Sequence, residues 1–118
     1  MNLEEFVDGI RIRAMDGAVR GTISTLKEPP GRKPHPKDIE LSKWYLNLDE
    51  NNQDMVRRAF AEVAHAAVFG VFAVLDGAAR IDDEETPCEF ELWYSGQDGR
   101  IKLNGELHEE LNSKDWHR

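Results

Sequence analysis

The chain has 118 residues and a formal net charge of −8, from 23 acidic and 15 basic side chains. A chain of this length predicts one domain, residues 1–118, that folds without help from a metal or a disulfide. The single cysteine, Cys88, excludes an internal disulfide and a multi-cysteine zinc site, and we expect no cofactor.

Two features of the sequence bear on location in the cell. The first residues, MNLEEFVDG, are acidic and lack the basic and then apolar pattern of a secretory signal. The uncharged run at 66–75 is ten residues long, whereas a membrane span needs about twenty. We therefore expect a cytoplasmic protein without a membrane partner.

The negative charge is concentrated at the end of the chain. Residues 76–118 carry 12 acidic and 5 basic side chains, whereas residues 1–75 carry 11 and 10. A surface with this excess of carboxylates repels the phosphates of nucleic acid and attracts basic proteins. The charge therefore predicts a basic protein partner and no nucleic acid.

Helical periodicity predicts a first helix from about Asn2, its N-cap, to about Thr25. Its inward stripe is predicted to be Leu3, Val7, Ile10, Ala14, Ala18 and Gly21. The following segment, 27–37, contains four prolines and is basic. Proline removes backbone donors and disfavours helix at the preceding residue, so this segment is predicted to be a connector.

Two more helices are predicted before residue 77. Asp38 is the expected N-cap of a short second helix. A long central helix follows, with Asp49 or Asn51 as its expected N-cap, and it is predicted to end at Asp76 and Gly77. The last third of the central helix is apolar on every side, which is typical of a largely buried helix. The residues expected to be buried are Val63, Ala67, Val71 and Val74.

After Gly77 the apolar pattern changes to a period of two, which is typical of strands. It predicts a short strand at 79–81 and a hairpin formed by 88–95 and the residues after 99. Two registers, from a tight turn at Asp98–Gly99 or a four-residue loop at 96–99, are consistent with the pattern. A short helix, 106–112, follows, with Leu107 and Leu111 inward. The expected fold class is α+β, with three helices before a small antiparallel hairpin and a short C-terminal helix after it.

Among polar residues, His65 stands out because it lies in the apolar stretch 61–77. One interpretation is a core histidine that is hydrogen-bonded to a backbone carbonyl or to Glu62. The other is a general base that acts with Cys88 or Asp76. No nucleotide-binding loop, nucleophile elbow or zinc-helix motif occurs in the sequence, and no metal site is expected.

The strand alternation places Cys88, Phe90, Leu92 and Tyr94 inward and the residues between them outward. An exposed tryptophan beside carboxylates is typical of a protein interface. Alternatively, Trp93 is covered by the C-terminal helix or stacked under Lys102. The residues predicted to bind a partner are Asp82, Asp83, Glu84, Glu85, Glu89, Glu91 and Trp93.

These observations lead to three functional hypotheses. In size and charge the chain resembles the small acidic inhibitors and immunity proteins that bacteria keep against toxins, which implies that it engages a basic protein. A second hypothesis is a small-molecule-binding domain, or a small enzyme, with a pocket near His65. A third is a homo-oligomer in which the 27–37 segment or an edge strand reaches a neighbouring copy.

The two interpretations of His65 predict different effects of the substitution His65→Gln. On the core interpretation, we expect the free energy of unfolding to fall by about 1–3 kcal/mol, because a buried hydrogen bond is disturbed. On the catalytic interpretation, stability should change little. Thermal melts of the two proteins measure this, and an unchanged melting temperature would contradict the core interpretation.

Overall fold

The computed structural model describes residues 1–82 and 89–113. It divides the chain into two compact units, which are Met1–Ile12 with Ala66–Arg118 (the first unit) and Arg13–His65 (the second unit). The elements in chain order are α1 (Leu3–Ile10), a π-helical segment (Arg11–Asp16), α2 (Gly17–Lys27), α3 (Pro36–Leu46), α4 (Glu50–Leu75), β1 (Trp93–Gly96), β2 (Gly99–Lys102) and α5 (Leu107–Asn112). The α+β class, the long central helix, the antiparallel hairpin and the short C-terminal helix are confirmed.

The first predicted helix is present, but a π-helical segment interrupts it. Its N-cap is confirmed, because Asn2 Oδ1 accepts a hydrogen bond from the Glu5 backbone N–H at 2.8 Å. A π turn contains one more residue than an α turn, so the buried position that the pattern predicts at Ala14 is at Met15 instead.

This shift overturns the second half of the predicted stripe. Ala14, Ala18 and Gly21 are exposed. Met15 and Leu26 are buried instead, at 3% and 4% exposure. The sequence pattern assumes one continuous α period, and a single π segment is enough to turn the later residues to another face.

Helix α3 begins earlier than predicted, at Pro36. His35 rather than Asp38 is the N-cap, and its ring Nδ1 accepts from the Lys37 backbone N–H at 3.1 Å. Proline is favourable at the first helical position because the N–H that it lacks has no helical partner there. The connector therefore ends at residue 35, and α3 contacts α2 within the second unit, with Tyr45 buried.

Helix α4 has the two ends that the sequence predicts. Asp49 Oδ1 accepts from the Asn52 backbone N–H at 2.8 Å, so Asp49 rather than Asn51 is the cap. At the other end Gly77 has φ +80°, a conformation in which a side chain would be strained. The helix therefore stops where the chain can turn back.

The prediction that α4 is buried on every side is wrong. Val63 and Val71 are 67% and 58% exposed, Ala67 is exposed and Val74 is half-buried. The buried residues of α4 are Phe72 and Ala73. The ring of Phe72 lies 6.2 Å from that of Phe6 in α1. Burial requires neighbouring elements on every face, and helix composition alone does not supply them.

The length and apolar composition of α4 would also suffice for a membrane-crossing helix. A single helix of this kind does not establish a span, since helices of soluble proteins reach the same composition.

The hairpin is shorter than predicted and has one of the two expected registers. Residues 79–81 do not form a strand, and β1 begins only at Trp93. Tyr94 pairs with Ile101 and Ser95 with Arg100, as in the register of the longer loop. Gly99, the first residue of β2, has φ +113° directly after the turn.

Within residues 1–82 and 89–113, no element buries either face of the strands. Every residue of β1 and β2 is exposed. Phe90 and Tyr94, which alternation places inward, are 48% and 41% exposed. Leu92 is half-buried, and Cys88 lies outside the described residues.

The short C-terminal helix turns Leu107 and Leu111 inward, as predicted. Leu107 and Leu111 have no exposed surface, and α5 contacts α1 within the first unit. The core of this unit therefore consists of the inward side of α5 with Val7, Phe72 and Leu103.

Two neighbouring positions of α4 test its exposure. We expect the variant Val71→Asp to fold and to lose less than about 1 kcal/mol, because an exposed charge stays hydrated and the two residues have similar helix propensity. The matched variant Phe72→Asp should not fold, since it places an unpaired charge in the core. Chemical denaturation of both measures this, and an unfolded Val71→Asp protein would contradict the exposed position.

Candidate functional site

A buried carboxylate joins the end of α4 to the start of α5. Asp76, whose side chain has no exposed surface, accepts three hydrogen bonds. The donors are the backbone N–H groups of Gly105 at 2.5 Å and His108 at 2.9 Å, and the His108 ring Nδ1 at 2.5 Å. Asp76 thus satisfies backbone donors at the α5 N-terminus, although it is far away in the sequence.

The charge state of Asp76 follows from these contacts. Burial alone would raise the pKa of its carboxyl group, but the hydrogen bonds from His108 and Gly105 favour the ionised form. The net result is a pKa below the ordinary value of 3.8. The His108 and Phe69 rings also pack nearly perpendicular to each other, with centroids 5.7 Å apart, so Phe69 and Asp76 both contact the imidazole.

Asn104 fixes the segment before β1 in the same way. Its Oδ1 accepts from the Leu92 backbone N–H at 2.7 Å. Its Nδ2 donates to the carbonyl oxygens of Leu75 at 2.6 Å and Phe90 at 2.7 Å. Residues 90–92 are therefore tied to the end of α4, and the side chains around them have defined positions.

We define the acidic surface as the exposed carboxylates and apolar side chains of the segments 81–82 and 89–93. Its carboxylates, on Asp82, Glu89 and Glu91, are exposed. Three exposed apolar side chains alternate with them along the chain, Ile81 at 71%, Phe90 at 48% and Trp93 at 42%. Asp83, Glu84 and Glu85, which the sequence adds to this set, lie outside the described residues.

Trp93 has a defined environment on this surface. The Arg100 guanidinium lies 4.7 Å from the centroid of its ring, and its Nε1 lies 3.4 Å from Glu91 Oε2. The sequence suggests Lys102 as the stacking partner, but Lys102 is directly opposite Trp93 in the register and Arg100 is diagonal to it. Long side chains reach the diagonal neighbour across a pair of strands, so one side of the indole is covered and the rest is exposed.

A small cavity opens beside the carboxylates. It has a volume of about 200 Å³, and its lining includes Ile81, Asp82, Glu89 and Phe90. Residues 81–82 and 89–90 are thus brought together although other residues separate them in sequence. Arg80 also lines this cavity, with its guanidinium 3.6 Å from the Asp82 carboxylate.

The structure describes His65 and one of the two groups, Asp76, that the catalytic hypothesis requires. His65 is half-buried on α4, and the Asp76 carboxylate is held by His108 and Gly105. Cys88 lies outside the described residues. Within residues 1–82 and 89–113, no three His, Cys, Asp or Glu side chains converge as the ligands of a metal ion would.

Sequence reasoning missed the Asp76–His108 pair and the role of Asn104. The available signal was Asn104–Gly105 directly after an apolar strand residue, a pair typical of turns. Gly105 has φ +131°, which allows the chain to turn from β2 towards α5. Asp76 and its donors are about thirty residues apart in the sequence, so the periodicity of a short segment cannot predict their contact.

Comparison of the chain with protein-family models, curated proteins and solved structures gives no match. Function is therefore inferred from the geometry of the described residues.

The Asp76 contacts predict an acid-sensitive fold. Because the folded pKa of Asp76 is depressed, its contribution to stability is complete above the unfolded pKa and is lost as the pH falls through the folded pKa. We expect Asp76→Asn to lower the free energy of unfolding by about 2 kcal/mol at pH 7 and by progressively less below pH 3.8.

Denaturation curves between pH 2 and 7 measure this difference. The control is Asp98→Asn, which removes an exposed carboxylate in the hairpin turn and should leave stability nearly unchanged. A constant difference between wild type and Asp76→Asn at every pH would contradict the proposed linkage.

Proposed function

We propose that this protein binds a basic protein through its acidic surface and acts as a small cytoplasmic inhibitor or immunity-type protein. The observation that carries the proposal is that Ile81, Phe90 and Trp93, all exposed, alternate along the chain with the exposed carboxylates of Asp82, Glu89 and Glu91. Exposed apolar side chains within a charged rim are the usual composition of a protein interface.

The size of the cavity supports a macromolecular partner for this surface. Pockets for small molecules are typically about 300–1,000 Å³, whereas the cavity beside Glu89 is about 200 Å³. It suits a single side chain inserted by the partner. Its acidic rim, with Asp82 and Glu89, and its apolar wall of Ile81 and Phe90 favour an arginine, whose stem is apolar and whose head is cationic.

The charge distribution supports a basic partner. Residues 76–118 carry 12 acidic and 5 basic side chains, and attraction between opposite charges accelerates encounter over about 10 Å at 0.1 M salt. Arg80 and Arg100 offset part of this charge locally. Trp93, which Arg100 and Glu91 hold in position, is the expected anchor of the bound state.

The alternative of a small-molecule or catalytic site near His65 remains a hypothesis, as does a homo-oligomer. The described contacts of Asp76 supply no group to assist His65.

Capture from host lysate at 50 mM and 500 mM salt, followed by binding kinetics on the retained protein, tests the proposal. We expect the double variant Glu89→Lys with Glu91→Lys to slow association about tenfold or more and to remove most of its salt dependence. Trp93→Ala should instead speed dissociation by about tenfold or more, because an anchor is lost after docking.

The control is the double variant Asp16→Lys with Glu40→Lys, which changes the net charge equally at exposed positions of the second unit. It should bind as the wild type does. If no basic protein is retained at low salt, or if both double variants associate at the same rate, the acidic surface serves solubility alone.

A further inference from the structure

A second cavity, which we call the α2 groove, lies in the second unit and differs in charge from the acidic surface. It has a volume of about 430 Å³, and residues of α2 and its C-terminal end line it together with Arg57 of α4. This volume is within the range typical of small-molecule pockets.

The floor of the α2 groove is apolar. Val19 and Ile23 are one helical turn apart on α2, so their side chains lie on the same face. Both are half-buried, and together they present an aliphatic strip to the solvent. The hydroxyl group of Ser24 lies beside this strip on the same side of the helix.

Three cationic side chains surround this strip. Arg20 and Lys27 are seven residues apart on α2, which corresponds to about 10 Å along the helix. In the part of the chain that the structure describes, neither has an ion-pair partner. Arg57 pairs with Asp54 at 2.7 Å, which occupies part of its five-donor guanidinium group. Glu28 is the one acidic residue of the lining.

We propose that the α2 groove binds a small aliphatic carboxylate, with its chain on Val19 and Ile23 and its carboxylate at Arg20 or Lys27. The cations exceed the anions around the groove although the whole protein has a net charge of −8. A cationic rim on an apolar floor matches an anion with an apolar tail, because the tail gains from burial and the head from charge-assisted hydrogen bonds. This site is independent of the acidic surface, since its lining lies wholly within the second unit.

Titration of ¹⁵N-labelled protein with sodium octanoate, followed by amide NMR shifts, tests the proposal. We expect saturable shifts at residues 19–28 and near Arg57, with a dissociation constant of roughly 1–10 mM or tighter for a ligand of this size. Affinity should rise from butanoate to octanoate by up to about fourfold for each methylene that the groove buries. It should also weaken at high salt.

Two probe molecules distinguish the contribution of the apolar tail from that of the carboxylate charge. Octan-1-ol has the tail without the charge, and inorganic phosphate has the charge without the tail, so both should bind about tenfold more weakly than octanoate. If phosphate binds as well as octanoate, the groove is a simple anion site, and the proposal is wrong. Equal binding of octan-1-ol would show that the cations take no part, which also overturns it.

The double variant Arg20→Gln with Lys27→Gln removes two of the three cations, and Ile23→Ser removes half of the apolar floor. Each should weaken octanoate binding about tenfold, while the amide spectrum reports whether the fold is kept. Arg58→Gln is the matched control, because Arg58 is exposed next to Arg57 and does not line the groove. If octanoate gives no saturable shifts, or if the control weakens binding as much as the other variants do, the proposal fails.

Discussion

The packing of the first unit depends on the hydrogen bonds of the buried Asp76 carboxylate. A charge without exposed surface is tolerable only when its lone pairs are hydrogen-bonded, and Asp76 meets this condition with three donors from Gly105 and His108. In doing so it joins the end of α4 to the start of α5. The core of Leu107 and Leu111 then forms against α1.

Asn104 extends the same principle to the hairpin. Its amide accepts from Leu92 and donates to Leu75 and Phe90, so the backbone before β1 is held by side-chain hydrogen bonds rather than by a larger sheet. A two-stranded hairpin is only marginally stable by itself. This arrangement leaves both strands exposed, and that exposure makes Trp93 available for binding.

Charge is divided between the two units. The first unit contains 15 acidic and 6 basic residues, and the second contains 8 and 9. The two proposed sites follow this division, since the acidic surface suits a basic protein and the α2 groove an aliphatic carboxylate. The negative net charge of the whole chain conceals the cationic groove, because the excess of carboxylates lies in the first unit.

Local rules of sequence were enough to predict the α+β class, both ends of α4, and the buried Leu107 and Leu111. These features depend on caps, glycine conformations and short periodicities, all of which are visible within a few residues. The exposure of Val71, the pairing of Asp76 with His108 and the α2 groove were determined by tertiary structure. Burial and long-range hydrogen bonds depend on which elements pack against each other. The hydrophobic periodicity of one segment does not show which elements those are.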